Sequence, residues 1–122
     1  MMQFREDRPI YRQIVDYAYS CILNGEWEEG KRIPSVRELG VQMAVNTHTV
    51  LKAYEYLTDH GIIASQRGMG YFLSADARQR VNQDRKDVFF GIELVDIFKQ
   101  MQLLDISIDQ VVEKWQEFNK IP

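Results

Sequence analysis

Apolar positions recur at three- and four-residue steps over most of the chain, which predicts helices, and two short β-prone runs around a glycine-rich turn add one hairpin. Ile10, Ile14, Ala18, Cys21 and Ile22 form the apolar face of a first helix over residues 9–24. Asp7 is placed to cap it, a proline fits its first turn, and Asn24-Gly25 ends it. Residues 26–34 read as a loop anchored by Trp27. Ser35-Val36-Arg37-Glu38 is a capping box, in which serine and glutamate satisfy each other's backbone N–H groups, so a second helix starts there with Val36, Leu39 and Met43 inward. After a short turn through Ala44 and Val45, a third helix runs from Asn46 or Thr47 to about His60, with Val50, Ala53, Tyr54 and Leu57 on its buried face and Gly61 closing it. The runs 62–66 and 71–73 then flank Arg67-Gly68-Met69-Gly70, glycines standing where a tight turn needs positive φ.

Two helices joined by a short turn and followed by a hairpin predict a winged helix-turn-helix, mainly α within the α+β class, over residues 1–75. In that arrangement the second helix of the motif enters the major groove with its N-terminal residues at base edges. Those residues are Asn46, Thr47, His48, Thr49 and Lys52. Thr47 and His48 have groups for bases or phosphates, and Lys52 suits a phosphate or guanine. For Asn46 and Thr49 a pure capping role stands beside DNA contact. Ser35 and Arg37 lie at the positive end of the second helix and suit a phosphate, the alternative for Arg37 being a surface ion pair. At the hairpin tip Gln66 and Arg67, beside Gly68 and Gly70, can reach a groove or phosphate.

Residues 76–122 read as helix only. Residues 75–86 are polar on most sides, with Val81 as the main exception, and form a helical or flexible connector. Beyond them Phe90, Leu94, Ile97, Phe98, Met101 and Leu104 make one strong helical face, and Val88, Ile92 and Val95 a second stripe. Ser107 and Gln110 open a last helix with another capping box, its face built from Ile108, Val111, Val112, Trp115 and Phe118. The two tail helices are expected to pack as an antiparallel hairpin that covers one stripe. The other then covers a second copy of the chain or its own winged helix, and the expectation is a homodimer held by this tail.

Composition adjusts this picture little. The chain has 122 residues, a formal charge of −3 and one cysteine, which excludes an internal disulfide and a cysteine-cluster zinc site. No apolar run reaches membrane-spanning length and the N-terminus has no apolar signal core, so a cytoplasmic protein without a membrane partner is expected. Gly68-x-Gly70 lacks the third glycine and strand-to-helix setting of a dinucleotide site, and His48, His60 and Cys21 have no metal-ligand spacing, so neither cofactor, metal nor enzymatic activity is expected. The acidity argues weakly against nucleic acid, but residues 31–73 hold Lys31, Arg32, Arg37, Lys52 and Arg67 against Glu38, Glu55 and Asp59, or 5 − 3 = +2.

The motifs Pro9-Ile10-Tyr11-x-Gln13-Ile14, Pro34-Ser35-x-Arg37-x-Leu39, Asn46-Thr47-x-Thr49-Val50-x-x-Ala53-Tyr54-x-x-Leu57, Gly61-Ile62-Ile63 and Arg67-Gly68-x-Gly70-Tyr71-Phe72 follow one another in order. Together they resemble the GntR family of bacterial winged-helix transcription regulators, and the short tail is similar to its YtrA subfamily of small dimeric repressors. The resemblance implies a double-stranded DNA partner with a palindromic operator, Ser35, Arg37, the start of the third helix and the wing as contacts, and repression by occlusion of a promoter. Relatives often carry arginine where Thr47 and Leu51 stand, alanine where Gly40 stands and glycine where Ala44 stands. A small-molecule effector, in a site supplied with aromatics by Tyr17, Tyr54, Phe89 and Phe90, is a further expectation. The alternative is a winged helix used for protein–protein contact.

Overall fold

A computed structural model describes Phe4 and residues 7–120. The described residues form six α-helices, one π turn and one two-stranded sheet. α1 (Ile10–Leu23), α2 (Val36–Met43) and α3 (Thr47–Asp59) make a three-helix core, and β1 (Ile63–Gln66) and β2 (Gly70–Leu73) the antiparallel wing, in the register Ile63 to Leu73 and Gln66 to Gly70. α4 (Ala77–Val88), the π turn Phe89–Glu93, α5 (Leu94–Leu104) and α6 (Ile108–Lys120) follow.

Most expected core positions are the observed ones, but Ile10, at the first residue of α1, is exposed and Val36 is half-buried. Ile14, Ala18, Leu39, Val50, Ala53, Tyr54 and Leu57 are closed to solvent, and Cys21, Ile22, Met43 and Trp27 are buried around them. α3 packs on both α1 and α2, so the recognition helix is gripped from two sides. Burial also pushes the Cys21 thiol up to about 11, which keeps it protonated and inert. At the α1 start Pro9 holds the N-cap position, two residues after the exposed Asp7. Asn24 keeps a right-handed conformation and Gly25 takes the left-handed one, at φ 86°.

The capping box of α2 is complete. Ser35 Oγ accepts from the Glu38 N–H at 3.0 Å, and the Ser35 N–H donates to Glu38 Oε1 at 3.1 Å. The turn to α3 passes through Ala44 in the left-handed region, at φ 56° and ψ 44°. Gly40 is the reason this turn can be tight: a Cβ there would stand 3.1 Å from the Val45 carbonyl oxygen and 3.4 Å from Thr47 Cγ2. Asn46 caps α3 by accepting from the His48 N–H at 2.8 Å.

The segment before α2 is more than the loop its composition predicts. Arg32 bridges to Phe72, the Ile33 N–H donates to the Tyr71 carbonyl and the Leu73 N–H to the Lys31 carbonyl, so this segment pairs with β2 along the wing. The connector is an ordinary packed helix. Ala77, Val81 and Asp84 of α4 are buried, and the chain divides by its contacts into Met1–Asp84 and Arg85–Pro122, not near residue 75. The physical reason for the shift is that α4 completes the core of the first unit through these three side chains.

In the second unit the expected antiparallel helix hairpin is absent. Asp105 turns the chain in the left-handed conformation at φ 55°, Ser107 and Gln110 form the expected box, and no side chain of the π turn, α5 or α6 is buried. Each helix keeps an amphipathic face, and the two faces are left open to solvent.

Candidate nucleic-acid interface

Three local structures present the candidate DNA-binding residues of the first unit. At the N-terminus of α2, Arg37 is exposed and Ser35 half-buried. The Ser35 N–H and Oγ are both engaged in the capping box, so the Glu38 carboxylate already occupies part of the positive helix end expected to serve a phosphate. The Ser35 N–H first, then its side chain and then Arg32, hold the Glu38 carboxyl below its usual range. Ser35 therefore contributes chiefly as a cap, and the exposed Arg37 makes no ion pair with any other described residue at this end.

At the start of α3, Thr47, His48 and Lys52 are exposed and Thr49 is half-buried. Asn46 uses its carbonyl oxygen as the cap, which leaves its amide N–H groups for a partner. Lys52 lies with its ammonium 4.3 Å from the centre of the Tyr11 ring, a cation–π contact that restrains a long side chain without neutralising it. His48, Thr49 and Lys52 line one open groove together with Pro9, Ile10 and Tyr11. The start of α1 thus lines the candidate interface, and Tyr11 is a residue that the helical pattern of α1 did not mark.

At the wing, Gln66 ends β1 and Arg67 is exposed at the tip. Gly68 and Gly70 take φ of 75° and 102°, the conformations that reserve these positions for glycine. A Cβ on Gly70 would also come 3.2 Å from Arg32 Nε. Arg32 is the second residue that sequence reasoning missed. It donates from Nε to the Met69 carbonyl at 3.3 Å and from Nη2 to Glu38 Oε1 at 3.1 Å, linking the wing turn to the α2 cap. Its role comes from a tertiary approach across 37 residues, which no local spacing encodes.

The candidate dimerisation residues all fall in the α4 end, the π turn, α5 and α6. Phe90, Ile92, Val95, Phe98 and Trp115 are exposed, and Val88, Leu94 and Met101 half-buried. Tyr54, one of the four aromatics considered for an effector site, is unavailable for it: its side chain is wholly buried and its hydroxyl donates to the Pro34 carbonyl. Among the described residues no helix is long and apolar enough to cross a membrane.

Comparison with known proteins agrees with this architecture. The model of the gntR family of bacterial regulatory proteins matches residues 10–73. The chain is 30% identical over 118 residues to the uncharacterized HTH-type transcriptional regulator YhcF of Bacillus subtilis, covering 97% of this chain and 96% of that protein. It is 40% identical over 74 residues to the HTH-type transcriptional repressor YtrA of the same organism, covering 61% of this chain and 57% of that one. A crystal structure of a GntR-family transcriptional regulator from Bacteroides thetaiotaomicron superposes with a TM-score of 0.74 at 39% identity, covering 91% of this chain and 96% of that one. The DNA-binding domain of AraR in complex with operator ORX1 superposes with a TM-score of 0.54 at 31% identity, covering 61% and 93%. The chain belongs to the GntR family of winged helix-turn-helix transcription regulators.

Proposed function

We propose that this regulator is a homodimeric repressor that binds a palindromic promoter operator, one winged helix per half-site, and blocks transcription by occlusion. The observation that carries the reading is the set of side chains left uncommitted on the first unit. The side chains of Arg37, Thr47, His48 and Arg67 face solvent without partners among the described residues, Lys52 is held over Tyr11, and all stand on the elements that meet DNA in a winged helix. In this division of labour Arg37, Lys52 and Arg67 engage phosphates or guanine, and Thr47, His48, Thr49 and the Asn46 amide read base edges, with Gln66, Gly68 and Gly70 shaping the wing contact. YtrA's description as a repressor and AraR's structure on operator DNA support both the sign and the ligand. The apolar faces of α5 and α6 supply the second half of the proposal, a tail that pairs with its copy through Phe90, Phe98 and Trp115 among others.

Selection of bound sites from random duplex DNA tests it. Enrichment of a two-fold symmetric sequence, with affinity falling steeply as salt rises, is the expected result. An unenriched pool overturns the reading.

A further inference from the structure

Among the described residues one charged side chain is buried, Asp84, and operator contact makes no direct use of it. Its Oδ2 accepts hydrogen bonds from Tyr19 of α1 at 2.5 Å and from Tyr56 of α3 at 2.9 Å. Its Oδ1 lies 3.5 Å from His60 Nε2 at the end of α3, and the His60 ring stacks on Tyr56 with centroids 4.0 Å apart. The Arg12 guanidinium covers Tyr56 at 4.7 Å. Burying a carboxylate is costly unless its lone pairs are used, and here two hydroxyls from two different helices converge on one oxygen.

The other buried contacts of α4 are apolar, and its described arginine bonds are exposed. Ala77 and Val81 are small apolar contacts that tolerate sliding. Arg78 donates to the Ile22 carbonyl at the end of α1, and Arg80, paired with Asp76, lies against Gly61, but both arginines are exposed. A shift or rotation of α4 takes the Asp84 carboxylate, the one buried charge among the described residues, out of reach of both hydroxyls. Asp84 is therefore the pin of its register, and two features make the pin functional. Tyr56 belongs to the recognition helix itself, two turns beyond His48. Asp84 is also the last residue of the first unit, and α4 runs on past it to Val88.

We propose that Asp84, through Tyr19 and Tyr56, is a positioning residue for operator binding: it fixes where the chain leaves the winged helix and so sets the half-site spacing that the paired protein accepts. This rests on the two-half-site reading above. It gives the buried carboxylate a role that core stability does not require, since an apolar residue at position 84 would fill the seat without demanding one register.

The full chain, Asp84→Ala and the milder Tyr56→Phe test the proposal on a single half-site duplex and on paired half-sites whose spacer grows one base pair at a time. The expected result is unchanged half-site affinity, about a tenfold loss on the native spacing and a flattened dependence on spacer length, since a loosened connection lowers the effective concentration of the second winged helix. Melting curves are recorded in parallel, and if Asp84→Ala does not fold, Tyr56→Phe decides, with a smaller loss of the same pattern. Unchanged spacing preference in the variants overturns the proposal, as does a half-site affinity that falls in step with operator affinity. A parent chain with no spacing preference overturns the two-half-site reading and this proposal with it.

Discussion

The hydroxyl of Tyr54 donates to the carbonyl oxygen of Pro34 at 2.6 Å from a side chain wholly closed to solvent. Its ring meets Tyr71 edge-on, centroids 5.0 Å apart and planes at 81°. One residue of the recognition helix thus holds both the approach to α2 and the second strand of the wing. Tyr54→Phe keeps the ring and strands the carbonyl, so it costs about 1–2 kcal/mol. Thermal denaturation reads this as a melting temperature lower by several degrees.

Ala44 and Gly40 divide the strain of the helix-turn-helix corner. Ala44 sits at φ 56°, a conformation that costs a residue with a Cβ about 1 kcal/mol. Ala44→Gly removes that cost and raises the denaturant midpoint. Gly40→Ala gains helix propensity but drives a methyl group to 3.1 Å from the Val45 carbonyl oxygen, so it brings no gain unless the turn shifts. Urea titration of both variants checks the pair, and a stabilised Gly40→Ala with unaffected Ala44→Gly contradicts this account.

The α2 cap has an acid limit. The Glu38 carboxyl is held below its ordinary value of 4.5, first by the Ser35 N–H, then by the Ser35 side chain and Arg32. The folded state therefore binds this proton less readily than the unfolded state. The contribution is complete above the unfolded value and is lost as pH falls through the depressed one. The stability difference between the parent chain and Glu38→Gln is expected to be constant near neutrality and to close as pH falls below about 4.5, measured by chemical denaturation across that range.

Arg37→Ala and His48→Ala separate positioning from reading. Loss of Arg37 is expected to weaken all duplexes alike and to flatten the salt dependence by about one counterion. Loss of His48 is expected to change preference at one or two operator positions while leaving the salt slope in place. Quantitative binding to a library of single-base operator variants distinguishes them, and identical behaviour of the two contradicts the assigned roles.

Phe98→Asp places a charge in the middle of the exposed stripe of α5. Sedimentation is expected to show monomers, with binding to two half-sites reduced to the level of one. A variant that remains dimeric removes this stripe from the interface.

The winged helix was legible because its signals are local. Ser35 and Glu38 are three residues apart, Asn46 caps the next helix two residues on, and Val50, Ala53, Tyr54 and Leu57 share one face by period alone. What escaped depends on residues that meet only after folding. Arg32 becomes part of the wing because β2 returns beside it, and Tyr11 lines the same groove as His48, Thr49 and Lys52 because α1 starts next to the third helix. α4 read as a polar connector because its third buried residue is an aspartate, which becomes a core residue only where Tyr19 and Tyr56 supply donors. In the tail the apolar faces were read correctly and the packing was not. The alternation of apolar residues shows that a face needs cover, and nothing in it names the cover.

Under the proposed pairing, the open faces of α5 and α6 make the tail obey mass action. In the proposed homodimer, helices of 11 and 13 residues, none of whose side chains is buried in the single chain, draw their stability from association. Ordering of residues 85–120 and pairing of two chains are then a single equilibrium. The heat needed to melt the tail rises with protein concentration, while the winged helix, with its own closed core, melts at a temperature that dilution does not move.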